Sequence, residues 1–340
     1  MRSIRRRLPP AMSLPAWGGG SILPYAIDFS AADFDSNWST GATWSASGSQ
    51  AVNTGLTLGS DLLTNPSMEA GDPPTGWLPL SAPTLSSAAD ERTGGSGSAC
   101  LNMARNGTSN PLAYQAYTAS VGEFFRMDGW HKRIDCTNVD IYIVNTQSVL
   151  RFKTNTDWAN AVRDCISTAT AIQIRCSGRT TTDPQSSRFD DVSFKQYTAP
   201  AQLFRAVSAG YSLVRVGANI TMTDVGGDVG VVACLDSATN PQNYVFATLS
   251  QYAGLMYLIK VVAGVPTIVD AGTSFTYVAG AALEIRHTAA NTFQVWYNDG
   301  QLGADRTISD AGIISNTRHG LFSGEMGAAG GFDAFFLESV

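Results

Sequence analysis

The chain has 340 residues, a formal net charge of -6, 15% charged and 44% hydrophobic residues, 33 glycines and 14 prolines. That length suits two cores better than one, and the acidic balance excludes a general nucleic-acid binder, which carries a basic stripe along its folded face. No run of 18 apolar residues occurs, so no membrane-spanning helix is expected, and the supply of Val, Ile, Thr, Tyr and Phe between glycine-rich turns predicts an all-β protein.

In chain order, residues 1–24 open with "MRSIRRR", placing Arg2, Arg5, Arg6 and Arg7 ahead of the Pro/Gly-broken "LPPAMSLPAWGGGSILP". Such a segment has no apolar core of the export-signal type and cannot bury enough area to order itself, so it reads as an extended arm that orders against partner subunits. From Tyr25 to about residue 57, short β-prone pieces around Trp38 and Trp44 give two or three strands without a closed core. "LLTNPSMEAGDPPTGW" at 62–77 then reads as the opening of a domain, although the earlier strands have not yet found partners.

Residues 58–200 supply strands of their own in "FFRMDGWHKR", "VDIYIV", "SVLRFKT", "TAIQIRC" and "SRFDDVSFKQ". Residues 201–340 supply "SLVRVGANITM", "VGVVACL", "NYVFATL", "GLMYLIKVV", "GAALEIRH", "NTFQVWYNDG" and "GFDAFFLE", short and evenly spaced between turn residues. The expectation is two antiparallel β-sandwiches. Residues 25–57 plus 201–340 form a discontinuous one, and 58–200 are inserted into it; the rival arrangement is a tandem in which 25–57 is an independent flap.

The run from "YSLVRVGANITM" through "GVVACLDS", "YLIKVVAGVPTIV" and "FQVWYNDGQL" to "GFDAFFLE", with a first piece at 29–57, resembles concanavalin A-like, laminin-G-type sandwiches of phage and secreted proteins. The middle segment resembles the jelly-roll carbohydrate-binding modules of xylanases and glucanases. Asn65, Pro66, Met68, Glu69, Gly71, Gly76 and Trp77 match their opening, and "DDVSF" at 190–194 matches their closing strand. The resemblance implies a structural calcium between Glu69 and Asp190 or Asp191, whose hard oxygens suit that ion. Exposed acids making turn hydrogen bonds are the other reading of the same three residues.

Catalytic patterns are missing. The six glutamates form no E-x-D-x-x-E strand motif, and the chain holds no G-x-S-x-G, H-E-x-x-H or phosphate-cradling glycine loop. His131, His287 and His319 are scattered and read as core or interface histidines. Five cysteines (100, 136, 165, 176 and 234) lack zinc spacing and read as reduced, buried thiols of a protein assembled in a cytoplasm. A non-enzymatic binding protein is therefore expected.

Because alternate strand residues face opposite sides, Phe125, Met127 and Gly129 read as inward, with Arg126, Asp128, Trp130 and Lys132 outward. Val139, Ile141 and Ile143 read as inward, with Asp140 and Tyr142 outward, and Arg151 and Arg175 fall on the outward parity of their own strands. Trp130, Tyr142, Asp128, Asp140, Arg151 and Arg175 are thus the candidate carbohydrate-binding set: rings to stack on a pyranose, planar polar groups to bond vicinal hydroxyls. The alternative is a solvated face, or one packed on the other sandwich or on a sister subunit. In the last third, Trp296 shares the outward parity with Glu284, Arg286 and Gln294 and reads first as an interface residue. The combined expectation is a tailed-bacteriophage virion protein of the tail tip, a fibre or a decoration. It would engage other virion proteins through the arm, bind a cell-surface polysaccharide and form a homo-oligomer, a trimer by expectation. A secreted bacterial polysaccharide-binding or polysaccharide-degrading protein, or a virion ornament that binds no sugar, are the rivals.

Overall fold

A computed structural model describes residues 24–27, 29, 34, 37–39, 43–47, 49–90, 92–107, 109–146, 153–179, 185–222, 228–250, 254–324 and 331–340. Residues 1–23 of the expected 1–24 arm and the candidate Arg151 lie outside the described residues. Three short strands come first: Tyr25–Ile27 (β1), Trp44–Ser47 (β2) and Gln50–Asn53 (β3). Ten follow: Leu58–Asp61 (β4), Leu78–Leu80 (β5), Thr84–Ala88 (β6), Cys100–Ala104 (β7), Leu112–Thr118 (β8), Phe124–Arg133 (β9), Asn138–Val144 (β10), Ala159–Ile166 (β11), Ala171–Arg179 (β12) and Ser186–Tyr197 (β13). The last eleven are Phe204–Ser208 (β14), Val214–Thr221 (β15), Val229–Leu235 (β16), Tyr244–Ser250 (β17), Leu255–Val262 (β18), Val265–Ser274 (β19), Ala281–Ala289 (β20), Thr292–Tyr297 (β21), Gly300–Thr307 (β22), Arg318–Ser323 (β23) and Gly331–Ser339 (β24). Among the described residues no helix is long and apolar enough to cross a membrane.

The strands form four sheets. Sheet I runs β2-β3-β24-β15-β20-β21-β22 with β1 also on β24, and sheet II runs β14-β23-β16-β17-β18-β19. Their facing sides enclose one core in which Val216, Leu283, Ile285, Phe332 and Phe335 meet Val231, Ala247 and Leu258. The early strands close against the end of the chain: Tyr25 pairs with Leu337 and Ala51 with Phe332, and the rings of Trp38 and Phe335 meet edge to face at 4.7 Å.

Sheet III runs β11-β9-β13-β7-β6 with β4 on β13, and sheet IV runs β10-β12-β8-β5. Between them lie Phe125, Met127, Phe189 and Phe194 from sheet III and Val139, Ile141, Ile172 and Ile174 from sheet IV. Met68 and Trp77, from the stretch that reads as a domain opening, are buried in this core. The first and last strands of the unit are neighbours, with Leu58 opposite Tyr197 and Asp61 opposite Lys195. Chain entry and exit therefore sit side by side.

A third apolar cluster joins the sandwiches. Phe124, Ile166 and Tyr197 on the outer side of sheet III meet Phe204, Tyr244, Phe246 and Phe322 on the outer side of sheet II. Sheet II is thus covered on both faces. That is why all seven residues of β16, "VGVVACL", are buried and the strand reads as a continuous apolar run rather than an alternating one. Close approach is needed at this seam, and a Cβ at Gly122 would overlap the carbonyl oxygen of Gly264. Truncating an aromatic in such a cluster, for example Phe124→Ala, costs about 3–5 kcal/mol.

Candidate functional site

The inner and outer parity read from sequence holds along β9, where Phe125, Met127, Gly129 and His131 are buried and Arg126, Asp128, Trp130 and Lys132 are half-buried on the other side. It holds on β12 as well, with Ile172, Ile174 and Cys176 inward and Gln173 and Arg175 outward. The expectation of one platform containing both Trp130 and Tyr142 requires correction. β9 belongs to sheet III and β10 to sheet IV, so their outer faces lie on opposite sides of the core. Parity separates inside from outside, but it is blind to which sheet a strand joins.

Asp140 is also corrected. It is fully buried, and its Oδ1 accepts a hydrogen bond at 2.7 Å from Arg163 on β11. An ion pair taken out of water at this depth holds the two sheets together and offers nothing to a ligand.

The outer face of sheet III is internally knit. Asn160 on β11 donates to Asp128 at 2.7 Å. The Arg92 guanidinium lies 4.2 Å from the centre of the Trp130 ring while also pairing with Asp191 at 2.6 Å. Lys132 sits 5.8 Å from the Trp158 ring and 3.0 Å from Asp90, which Arg188 engages as well. Those two cations hold the Asp90 carboxyl below its ordinary value against the opposing effect of burial, the largest single influence. Trp158, Asn160 and Arg92 were not singled out from sequence, since they lie on a loop, an unrecognised strand and a glycine-rich turn.

The outer face of sheet IV is differently built. Tyr142, Arg175, Tyr114 and Leu78 are successive register partners across β10, β12, β8 and β5, so they form one row crossing all four strands. Arg175 donates from Nε and Nη2 to Gln173 Oε1 at 2.9 and 2.6 Å, and its Nη1 lies 3.5 Å from the Tyr142 hydroxyl. Leu78 is 52% exposed, so the row opens to solvent. Of the six sequence candidates, the fold brings together Tyr142 with Arg175 and, separately, Asp128 with Trp130. Tyr114 and Leu78 were missed.

Glu69, Asp190 and Asp191 gather around the loop 92–99. Glu69 accepts from the backbone N–H of Ser98 and of Ala99, both at 3.0 Å, and Asp191 accepts from Arg92 and from Ser96 N–H. Burial first, then the charges of Asp191 and Glu69, push the Asp190 carboxyl up to about 7. The set is acid-rich, as a hard cation requires, yet all three carboxylates already hold protein donors, Asp190 accepting from the backbone N–H of Asp191 at 2.8 Å. Among the described residues no group of three or more His, Cys, Asp or Glu side chains has the arrangement of a metal centre.

The outer face of sheet I carries Phe336, Gly217, Glu284, Trp296 and Gln301 as a register row. Arg286 stacks on Trp296 at 3.8 Å, and Glu284 is sealed by Arg215 and Arg286 at 2.6 and 2.8 Å. All charges named there are paired. His131, His287 and His319 are fully buried, as are the five cysteines, none of which is in a disulfide.

No protein-family model matches the sequence, and no curated protein matches it. Among solved structures, the N-terminal CBM22-1–CBM22-2 tandem domain from Paenibacillus barcinonensis Xyn10C is similar at 8% identity and a TM-score of 0.36, over 84% of this chain and 97% of that one. The carbohydrate-binding module CBM66 from Bacillus subtilis is similar at 15% identity and a TM-score of 0.29, over 40% of this chain and 80% of that one. The enzymatically active domain of bacteriophage CBA120 tailspike protein 4 is similar at 12% identity and a TM-score of 0.32, over 40% of this chain and 21% of that one. At such identities and TM-scores these likenesses assign no ligand or activity to this chain.

Proposed function

We propose that the protein is a non-enzymatic glycan-binding component of a tailed-bacteriophage particle, and that the saccharide lies across the outer face of sheet IV. The observation that carries this reading is the register row Tyr142–Arg175–Tyr114–Leu78. Strands in a sheet are about 4.8 Å apart, so the two tyrosines stand roughly 10 Å apart, wide enough for more than one sugar ring. Aromatic rings present apolar faces to sugar C–H groups, while Arg175 and Gln173 supply planar donors and an acceptor for hydroxyls. Placement in a virion is supported by the sequence resemblance and by five buried, unbridged thiols, the state of a protein assembled in a reducing compartment. The arm would join the protein to other virion proteins in a homo-oligomer, with a trimer as the expected state. Residues 25–57 with 201–340, and 58–200, would be the two folding units. The rivals remain a secreted polysaccharide-binding or polysaccharide-degrading protein and an ornament that binds no sugar.

The direct test is a glycan array and a host-cell adsorption assay with the intact protein and its Tyr142→Ala and Tyr114→Ala variants, each checked for an unchanged melting curve. Binding by neither wild type nor variants would sink the reading. A structural calcium at Glu69, Asp190 and Asp191 is part of the same proposal, supported by the crowding that raises the Asp190 carboxyl. Calcium should then raise the melting temperature by mass action, and Glu69→Gln should remove that gain; a melting curve indifferent to calcium and chelator counts against it.

A further inference from the structure

The proposed platform has a charge that the rest of the protein does not predict. The four strands of sheet IV contain a single acidic side chain, Asp140, and it is buried against Arg163. Arg175 stands in the middle of the row, half-buried like the two tyrosines, and its guanidinium is held by the neutral amide of Gln173 instead of a carboxylate. Several half-buried cations elsewhere meet acids, as in Arg92 with Asp191, Arg215 with Glu284 and Arg306 with Asp270. In a chain whose net charge is -6, Arg175 is fixed between two tyrosines and, among the described residues, no carboxylate pairs with it.

Gln173 fixes the plane of the guanidinium through one edge, Nε and Nη2. Its Nη1 lies on the Tyr142 side of the row, where a ligand stacked on that ring would be in reach. A planar, permanently charged fork matches a carboxylate in shape as well as in sign. Charge-assisted hydrogen bonds of this kind are about twice as strong as neutral ones. The surrounding protein is net acidic and repels a polyanion at long range, so any preference for one must come from this contact.

We infer that the saccharide taken by sheet IV is acidic, a uronic-acid type of sugar whose carboxylate sets against Arg175 while neighbouring rings stack on Tyr142 and Tyr114. The inference rests on the glycan-binding reading of that face and narrows it to one chemical class.

The test uses the intact protein with a panel of oligosaccharides rich in galacturonate, mannuronate or glucuronate, each beside its carboxyl-reduced, neutral counterpart, measured by calorimetry at low and high salt. At least one uronate should bind about tenfold or more tightly than its reduced form, and the advantage should shrink with salt. Arg175→Gln should collapse the ratio toward one, Arg175→Lys should retain part of it, and Tyr142→Ala should weaken both members of the pair. Tyrosine-dependent binding of neutral sugars without a uronate preference would overturn the acidic assignment and leave glycan binding standing. Uronate preference that survives Arg175→Gln would also overturn it. Binding of neither class would overturn both.

Discussion

The two outer faces of the sandwich of sheets III and IV carry similar residue types and are built to opposite ends. On sheet III the tryptophans are stacked by cations and the cations are paired with acids, so the charges of Arg92, Asp191, Lys132, Asp90 and Arg188 are matched within the face. On sheet IV two tyrosines flank an arginine that, among the described residues, is held by an amide and a tyrosine hydroxyl and by no carboxylate. Composition alone would rank the tryptophan face first as a binding surface. What separates the faces is whether their charges are already answered, because a surface whose polar groups are paired must break those pairs before it can bind anything.

That contrast can be broken at its hinge. Asp140 looks like a surface residue and acts as the tie between β10 and β11, so Asp140→Ala should cost about 3–5 kcal/mol by removing the carboxylate from a buried guanidinium. A shift in the urea midpoint worth under about 1 kcal/mol would place the residue back among surface groups. The next effect is on binding. Tyr142→Ala or Tyr114→Ala should each cost roughly 2 kcal/mol, near thirtyfold in glycan affinity, whereas Trp130→Ala should change it by less than about twofold, since that ring is already covered by Arg92. Equal losses at Trp130 and Tyr142 would erase the distinction between the faces.

Acid sharpens a different comparison, that between the two sandwiches. Burial holds His131 down to about 3, helped by Arg163 and Lys153, and holds His319 down to about 4. Each folded value lies below the 6.5 of an ordinary histidine, so only the unfolded chain takes up the proton as pH falls. Stability is therefore complete above pH 6.5 and is lost below it at about 1.4 kcal/mol per pH unit for each histidine, until the folded value is reached. Denaturant curves at pH 7, 6 and 5 should flatten by one such slope in His131→Asn and by another in His319→Asn. The smallest effect is expected on sheet III, where Lys132→Ala removes one arm of a partly exposed pair and should cost only about 0.2–1 kcal/mol, less in high salt. A larger loss would mean that the Asp90 cluster acts as a buried network.

Alternation made much of the architecture legible. β9, β10 and β12 each carry regular apolar residues on one parity, and those residues are the core. "LAYQAYT" was not recognised as β8 because its pattern is inverted. The inward positions hold small or polar Ala113 and Gln115, and the large Tyr114 faces out. Trp158 stands in the loop before β11, where no period exists to place it. The fate of Asp140 depended on Arg163, a partner 23 positions away on the other sheet, and nothing local announces such a pair. Candidate residues could thus be sorted into inside and outside, while their grouping into faces required the strand order.

The apolar seam between sheets II and III also bears on how such a protein can diversify. Among the described residues, the apolar side chains that the sandwich of sheets III and IV contributes to the seam, Phe124, Ile166 and Tyr197 among them, come from sheet III or its flanks and none from sheet IV. A replacement sandwich spliced between the adjacent entry and exit strands would have to bring an underside of matching shape, or Phe204, Tyr244, Phe246 and Phe322 would face water. The outer face of sheet IV, the proposed recognition surface, is under no such obligation. Substitutions on the outer face of sheet IV leave the seam untouched, so under the proposed function ligand preference could change while the joint stays the same.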